Sequence, residues 1–148
     1  MTDNGPVVVG VDGSDSSKAA LAWAVRYAER SGLPVVAVSA WQFPLETSWG
    51  MAPSLPEDFD PEGAARQMLE GAVSDALGDH VGIELRLEVV RGHPSVELTE
   101  RSKSASLIVV GSRGHGAFTG MLLGSVSEFL TTHAHCPVVV MRDHGSAR

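Results

Sequence analysis

At 148 residues, with 43% hydrophobic and 20% charged residues, the chain has the length and balance of one globular domain around one core. A net charge of -7 repels phosphate backbones and anionic bilayers at long range, which argues against generic nucleic-acid or membrane-surface binding. Any nucleotide site must therefore be built from local backbone donors and a few cations. The single cysteine, Cys136, makes no intrachain disulfide. No apolar run approaches the ~20 residues needed to span a bilayer. Met1 to Gly5 lacks the charged and apolar segments of a secretory signal, so the cytoplasm is the expected compartment.

Pro6 to Val11 (PVVVGV) is a β-branched, nearly continuous apolar run, which suits a strand buried on both faces of a parallel sheet. Asp12-Gly13-Ser14-Asp15 supplies a turn and helix N-cap residues. Ser16 to Arg30 then has helical spacing, with Leu21, Ala24, Val25 and Ala28 on one face and Trp23 assigned to the core. Gly32 and Pro34 end that helix. Pro34 to Ala40 reads as a second buried strand. Residues 42–61, rich in Pro and Trp, read as a long loop, and loops of that length are commonly functional.

Glu62 to Leu77 is a second helix. Met68/Leu69, Ala72/Val73 and Ala76/Leu77 recur along it, and Met68 is expected in the core. Ile83 to Val90 (IELRLEVV) alternates apolar and charged residues, as an edge strand with one solvated face does. Gly92-His93-Pro94 is a turn in which His93 reads as a helix cap. Pro94 stands at a position that tolerates a missing amide. Ser95 to Ser104 is a shorter helix and Leu107 to Val110 a third buried strand. Val126 to Ala134 is the last helix and Val138 to Met141 the last strand.

Alternating strands and helices predict an α/β fold, a doubly wound five-stranded parallel sheet with helices on both faces. Strand order 3-2-1-4-5 puts the alternating third strand at an edge and the first and fourth strands side by side. Ligands bind in such sheets outside the carboxyl ends of the strands where the order reverses, here near Asp12 and Gly111. The domain spans residues 1–148, with its core at about 6–142.

The segment Gly111 to Ser127 follows a buried strand and opens a helix. Glycines let a ligand approach the main chain, and exposed amides in such a turn cradle phosphate oxygens. The helix beginning at Gly124-Ser125 offers unpaired amides and a positive dipole end. The Ser125 and Ser127 hydroxyls and the Arg113 guanidinium suit the same anion. Two familiar fingerprints fail. The third glycine of a G-x-G-x-x-G would be residue 119, but the glycine is Gly120. Gly13 to Lys18 lacks the second glycine of a P-loop. On composition alone, a tight crossover remains an equal reading.

The spacing Gly111-x2-Gly114-x9-Gly124-Ser125 resembles the nucleotide-binding signature of the universal stress protein family. Val9-Gly10-Val11-Asp12-Gly13-Ser14, Val109 to Gly114 and Cys136-Pro137-Val138-Val139-Val140 are similar to the same family, in the same order. The resemblance implies a Rossmann-like fold of the adenine nucleotide alpha hydrolase type and ATP as the ligand. It implies Asp12 near ribose and phosphates, where Mg2+ would also bind, and the Ala40 main chain on adenine. Gly111, Arg113, Gly114, Gly124, Ser125, Val126 and Ser127 would hold ribose and phosphates. It also implies a homodimer through the last strand, Pro137, Val138, Val139, Val140 and Met141, and a regulatory stress-response module with little turnover. The alternative is a slow ATPase or autokinase using the same site, with His115 nearby. His133, His135 and Cys136 fit no strong zinc spacing.

Overall fold

The computed structural model describes residues 4–42, 57–79, 81–114 and 123–142. Most of the Pro/Trp-rich loop and His115 lie outside the described residues. The elements run β1 (Val7–Gly10), α1 (Asp15–Ser31), β2 (Val35–Trp41), α2 (Pro61–Leu77), β3 (Leu85–Arg91), α3 (Pro94–Ser102), β4 (Leu107–Gly111), α4 (Ser125–His133) and β5 (Val138–Met141). The strands form one five-stranded sheet in the order β3-β2-β1-β4-β5, and every pairing is parallel. This is the predicted fold and strand order.

Alternation along the buried strands sends their side chains into two cores. Val7, Val9, Val35, Ala37, Leu107 and Val109 face α1 and α2, where Leu21, Ala24, Val25, Ala28, Leu69 and Ala72 meet them. Val8, Val36, Val38, Ile108 and Val110 face the other way, against Leu98 of α3 and Leu130 of α4. Small residues at Ala24 and Ala28 let α1 lie close over the central strands, and Lys18 ties it to Asp75 of α2 at 3.0 Å. Trp23 and Met68 are only partly buried and pack at the margin of the first core. Trp23 stacks instead on Tyr27, with ring centroids 5.3 Å apart.

β3 is an edge strand, as its alternation predicts. Leu85, Leu87 and Val89 pack on the α1/α2 core. On the other face Arg86 pairs with Glu84 at the surface, but Glu88 accepts from the half-buried Arg101 of α3 at 3.2 Å. That face is therefore partly covered by α3. Helices start where their caps dictate: Ser14 caps α1 by accepting from Ser17 N, and Asp60 caps α2 by accepting from Gly63 N. Among the described residues, no helix is long and apolar enough to cross a membrane.

Candidate functional site

The carboxyl ends of β1, β2 and β4 and the starts of α1, α3 and α4 surround a cavity of about 420 Å3, within the range of small-molecule sites. Every candidate residue lines it: Asp12, Ala40, Gly111, Arg113, Gly114, Gly124, Ser125, Val126 and Ser127. Residues from four separate stretches of sequence are thus brought together by the order reversal between β1 and β4.

The N-termini of α1, α3 and α4 point at this cavity, but they are not equivalent. In α1, Ser17 N donates to Ser14 Oγ at 3.2 Å. In α3, Pro94 has no amide, Ser95 N donates to His93 Nδ1 at 3.2 Å, and Val96 N and Glu97 N both donate to His93 O. The first turn of α3 is therefore closed by its own cap. In α4 the N-cap is Gly124, which makes no side-chain cap hydrogen bond. With no side-chain cap on them, the amides that follow Gly124 face the cavity at the positive end of that helix.

The main chain leading into α4 is held from behind. Gly124 N donates to Ser112 O at 2.5 Å, and Ser112 N donates to Met141 O at 2.6 Å. The Ser127 hydroxyl is buried and lies 3.1 Å from both Ser112 O and Gly124 O. Its proton is therefore committed to the loop, which leaves only the main chain of Ser127 for the cavity. Ser125, by contrast, is exposed. Ser16, which sequence reasoning passed over as an ordinary helix residue, donates its hydroxyl to Arg113 O at 2.6 Å. At Gly111 a side-chain carbon would lie 2.7 Å from the main chain of Ser16 and Ser17, so α1 can approach the end of β4 only over a glycine.

Asp12 is exposed at the mouth. Its Oδ1 accepts from Ser14 N at 2.9 Å, while Ser14 itself caps α1. A single carboxylate at a cavity mouth suits Mg2+, which keeps water and phosphate oxygens as its other ligands. Among the described residues no group of three or more His, Cys, Asp or Glu side chains gathers to hold a metal. His133 stacks on Phe129, with centroids 3.9 Å apart.

From β2 and the start of α3, the lining also takes in Val38, Ala40, Gln42, His93, Pro94 and Leu98. The sequence points to Ala40 at the site and to His93 as a cap. The structure gives His93 both positions, since it caps α3 and lines the cavity.

The model of the Universal stress protein family matches residues 4–142. A universal stress protein of Mycobacterium tuberculosis is 37% identical over 139 residues, covering 93% of this chain and 45% of the relative. This chain thus spans less than half the length of that curated relative. Among solved structures, a universal stress protein in complex with cAMP is 26% identical with a TM-score of 0.65, covering 96% of this chain and 99% of that one. The universal stress protein from Archaeoglobus fulgidus in complex with dAMP is 21% identical with a TM-score of 0.61, covering 95% and 99%.

Proposed function

The chain belongs to the universal stress protein family, and from that premise we propose that its cavity binds an adenine nucleotide, ATP together with Mg2+, and that binding regulates the protein with little turnover. The observation that carries the reading is the α4 N-terminus. It has no side-chain cap, it opens on the cavity, and it follows the Gly111-x2-Gly114-x9-Gly124-Ser125 spacing. Unpaired amides at a helix start are an anion site even on an acidic chain, because the amides act at contact distance while the net charge is screened over about 10 Å.

Phosphates lie on the amides of Ser125, Val126 and Ser127, with the Ser125 hydroxyl and Arg113 as further donors, while the Gly124 amide stays on Ser112 O. Gly111 and Gly114 let the ribose and phosphates approach the main chain. Asp12 carries Mg2+, which neutralises phosphate charge. Adenine lies toward Ala40, whose main chain offers both a donor and an acceptor. Complexes of related proteins with cAMP and dAMP support an adenine ligand. The same reading makes the protein a cytoplasmic stress-response module that pairs as a homodimer through β5.

Calorimetric titration with ATP, ADP, AMP and cAMP, each with and without Mg2+, tests the site. Micromolar affinity for ATP, on the order of -8 kcal/mol, and its loss in Gly124→Glu are expected. No binding at about 1 mM rejects the proposal. Steady phosphate release near 1 s⁻¹ would instead make the protein an ATPase.

A further inference from the structure

His93 joins β3 to α3, whereas Arg113 and Gly114 follow β4. From His93 α3 crosses back over the central strands, where Leu98 lies over Gly10 of β1 and shares a core with Leu130 of α4. His93 therefore lines the cavity from a different helix start than the α4 amides do. A ligand whose phosphates rest on α4 and whose base lies toward Ala40 meets the wall formed by Ala40, Gln42, His93, Pro94 and Leu98.

The protonation pattern of His93 follows from its cap. A backbone amide only donates, and Ser95 N donates to Nδ1 at 3.2 Å. The Ser95 hydroxyl also lies 2.7 Å from Nδ1. Nδ1 is thus the bare nitrogen, and in the neutral ring the hydrogen sits on Nε2. The rest of the α3 start offers a ligand nothing: Pro94 lacks an amide, and Val96 N and Glu97 N are taken by His93 O at 3.1 and 3.0 Å. Next to the Ala40 main chain and Gln42, this wall presents the His93 ring with its N–H on Nε2, beside apolar Pro94, Leu98 and Val38. We propose that His93 is a base-recognition residue, donating from Nε2–H to a ring nitrogen of the purine. This role rests on the nucleotide reading given above.

Two perturbations test it in the full chain. His93→Ser keeps a good N-cap but is too short and carries no ring donor. Its thermal stability is expected to match the parent, and its affinity for ATP to fall about three- to tenfold, the range for one neutral hydrogen bond. The 1-deaza, 3-deaza and 7-deaza analogues of ATP each remove one accepting nitrogen. One of them is expected to bind the parent more weakly by the same factor and to bind His93→Ser no more weakly still, the signature of a direct pair. If the parent binds ATP and His93→Ser binds it equally, His93 has no such role and the nucleotide site stands. If His93→Ser weakens ATP and all three analogues by one common factor, the effect is not a base contact and the proposal fails. If the parent binds no adenine nucleotide, the site itself is wrong and the role of His93 goes with it.

Discussion

Gly114 lies so close to the Asp12 carboxylate that a side-chain carbon at position 114 would overlap Oδ2. The two residues are far apart in sequence and meet because β1 and β4 are neighbours. The first prediction follows from that contact. The exposed Asp12 side chain can rotate away at little cost, so Gly114→Ala is expected to change stability by no more than about 0.5 kcal/mol. It is expected to remove the carboxylate from the mouth. ATP affinity with Mg2+ should then fall about tenfold and its dependence on Mg2+ should largely vanish. Asp12→Ala should do the same, and the double variant should add little. Calorimetry with and without Mg2+ checks this. Additive losses would mean that Asp12 and Gly114 act independently.

Ser125 and Ser127 stand on the same helical turn, yet the structure separates their roles. Ser127 is buried at 2% exposure and its hydroxyl clasps Ser112 O and Gly124 O. Those carbonyls also accept from Gly124 N and Glu128 N, so Ser127→Ala leaves neither orphaned. Its cost is expected to be about 1 kcal/mol in urea unfolding. Ser125→Ala is expected to leave stability within about 0.5 kcal/mol and to lower ATP affinity instead. The reverse pattern would place the ligand hydroxyl at Ser127.

Much of this arrangement is legible in the residues. Unbroken runs such as PVVVGV and LIVV mark strands covered on both faces, and IELRLEVV marks the edge. Those contrasts suffice to order the sheet. Glycine spacing locates the cavity because close approach to the main chain has a residue signature. Hydroxyl direction has none. Ser16 and Ser127 look like polar helix-start residues until the fold places Arg113 O and Ser112 O beside them. His93 reads correctly as a cap from its neighbour Pro94. Its place on the cavity wall depends on β3 lying beside β2, which no local pattern around residue 93 records. Trp23 fits the helical spacing of the core face, yet its bulk leaves it at the core margin against Tyr27.

Cys136 offers a test that does not involve the ligand. Burial pushes its thiol above the ordinary value, only partly opposed by a hydrogen bond with the Ile108 backbone. The thiolate is the reactive form, and a raised value means less thiolate at any pH below it. Alkylation by iodoacetamide at pH 8 is therefore expected to be slower than for a free cysteine in a short peptide. The rate should climb at higher pH than the peptide's does, and urea should abolish the difference. Equal rates in the folded protein would show a thiol that burial does not protect.

The β5 edge gives the last prediction. β5 pairs with β4 on one side and ends the sheet on the other. Its residues Val138, Val139, Val140 and Met141 are only partly buried, and an apolar edge with unpaired main-chain groups invites pairing with another chain. The register says which amides are available. Ile108 N donates to Pro137 O at 3.0 Å and Ser112 N to Met141 O at 2.6 Å. In a parallel ladder alternate residues bond the same neighbour, so Val139 and Met141 direct their amides to β4 while Val138 and Val140 direct theirs outward. Val140→Pro removes an outward donor and leaves the β4 ladder intact, a position where edge strands tolerate proline. The parent is expected to sediment as a dimer and Val140→Pro as a monomer with an unchanged far-ultraviolet spectrum. A Val140→Pro chain that remains dimeric would move the contact to another surface. Because Ser112 connects this edge to the cavity residue Gly124, its amide bonding Met141 O and its carbonyl taking the Gly124 amide, ATP is also expected to shift the dimerisation constant of the parent, which sedimentation at graded ATP concentrations would measure.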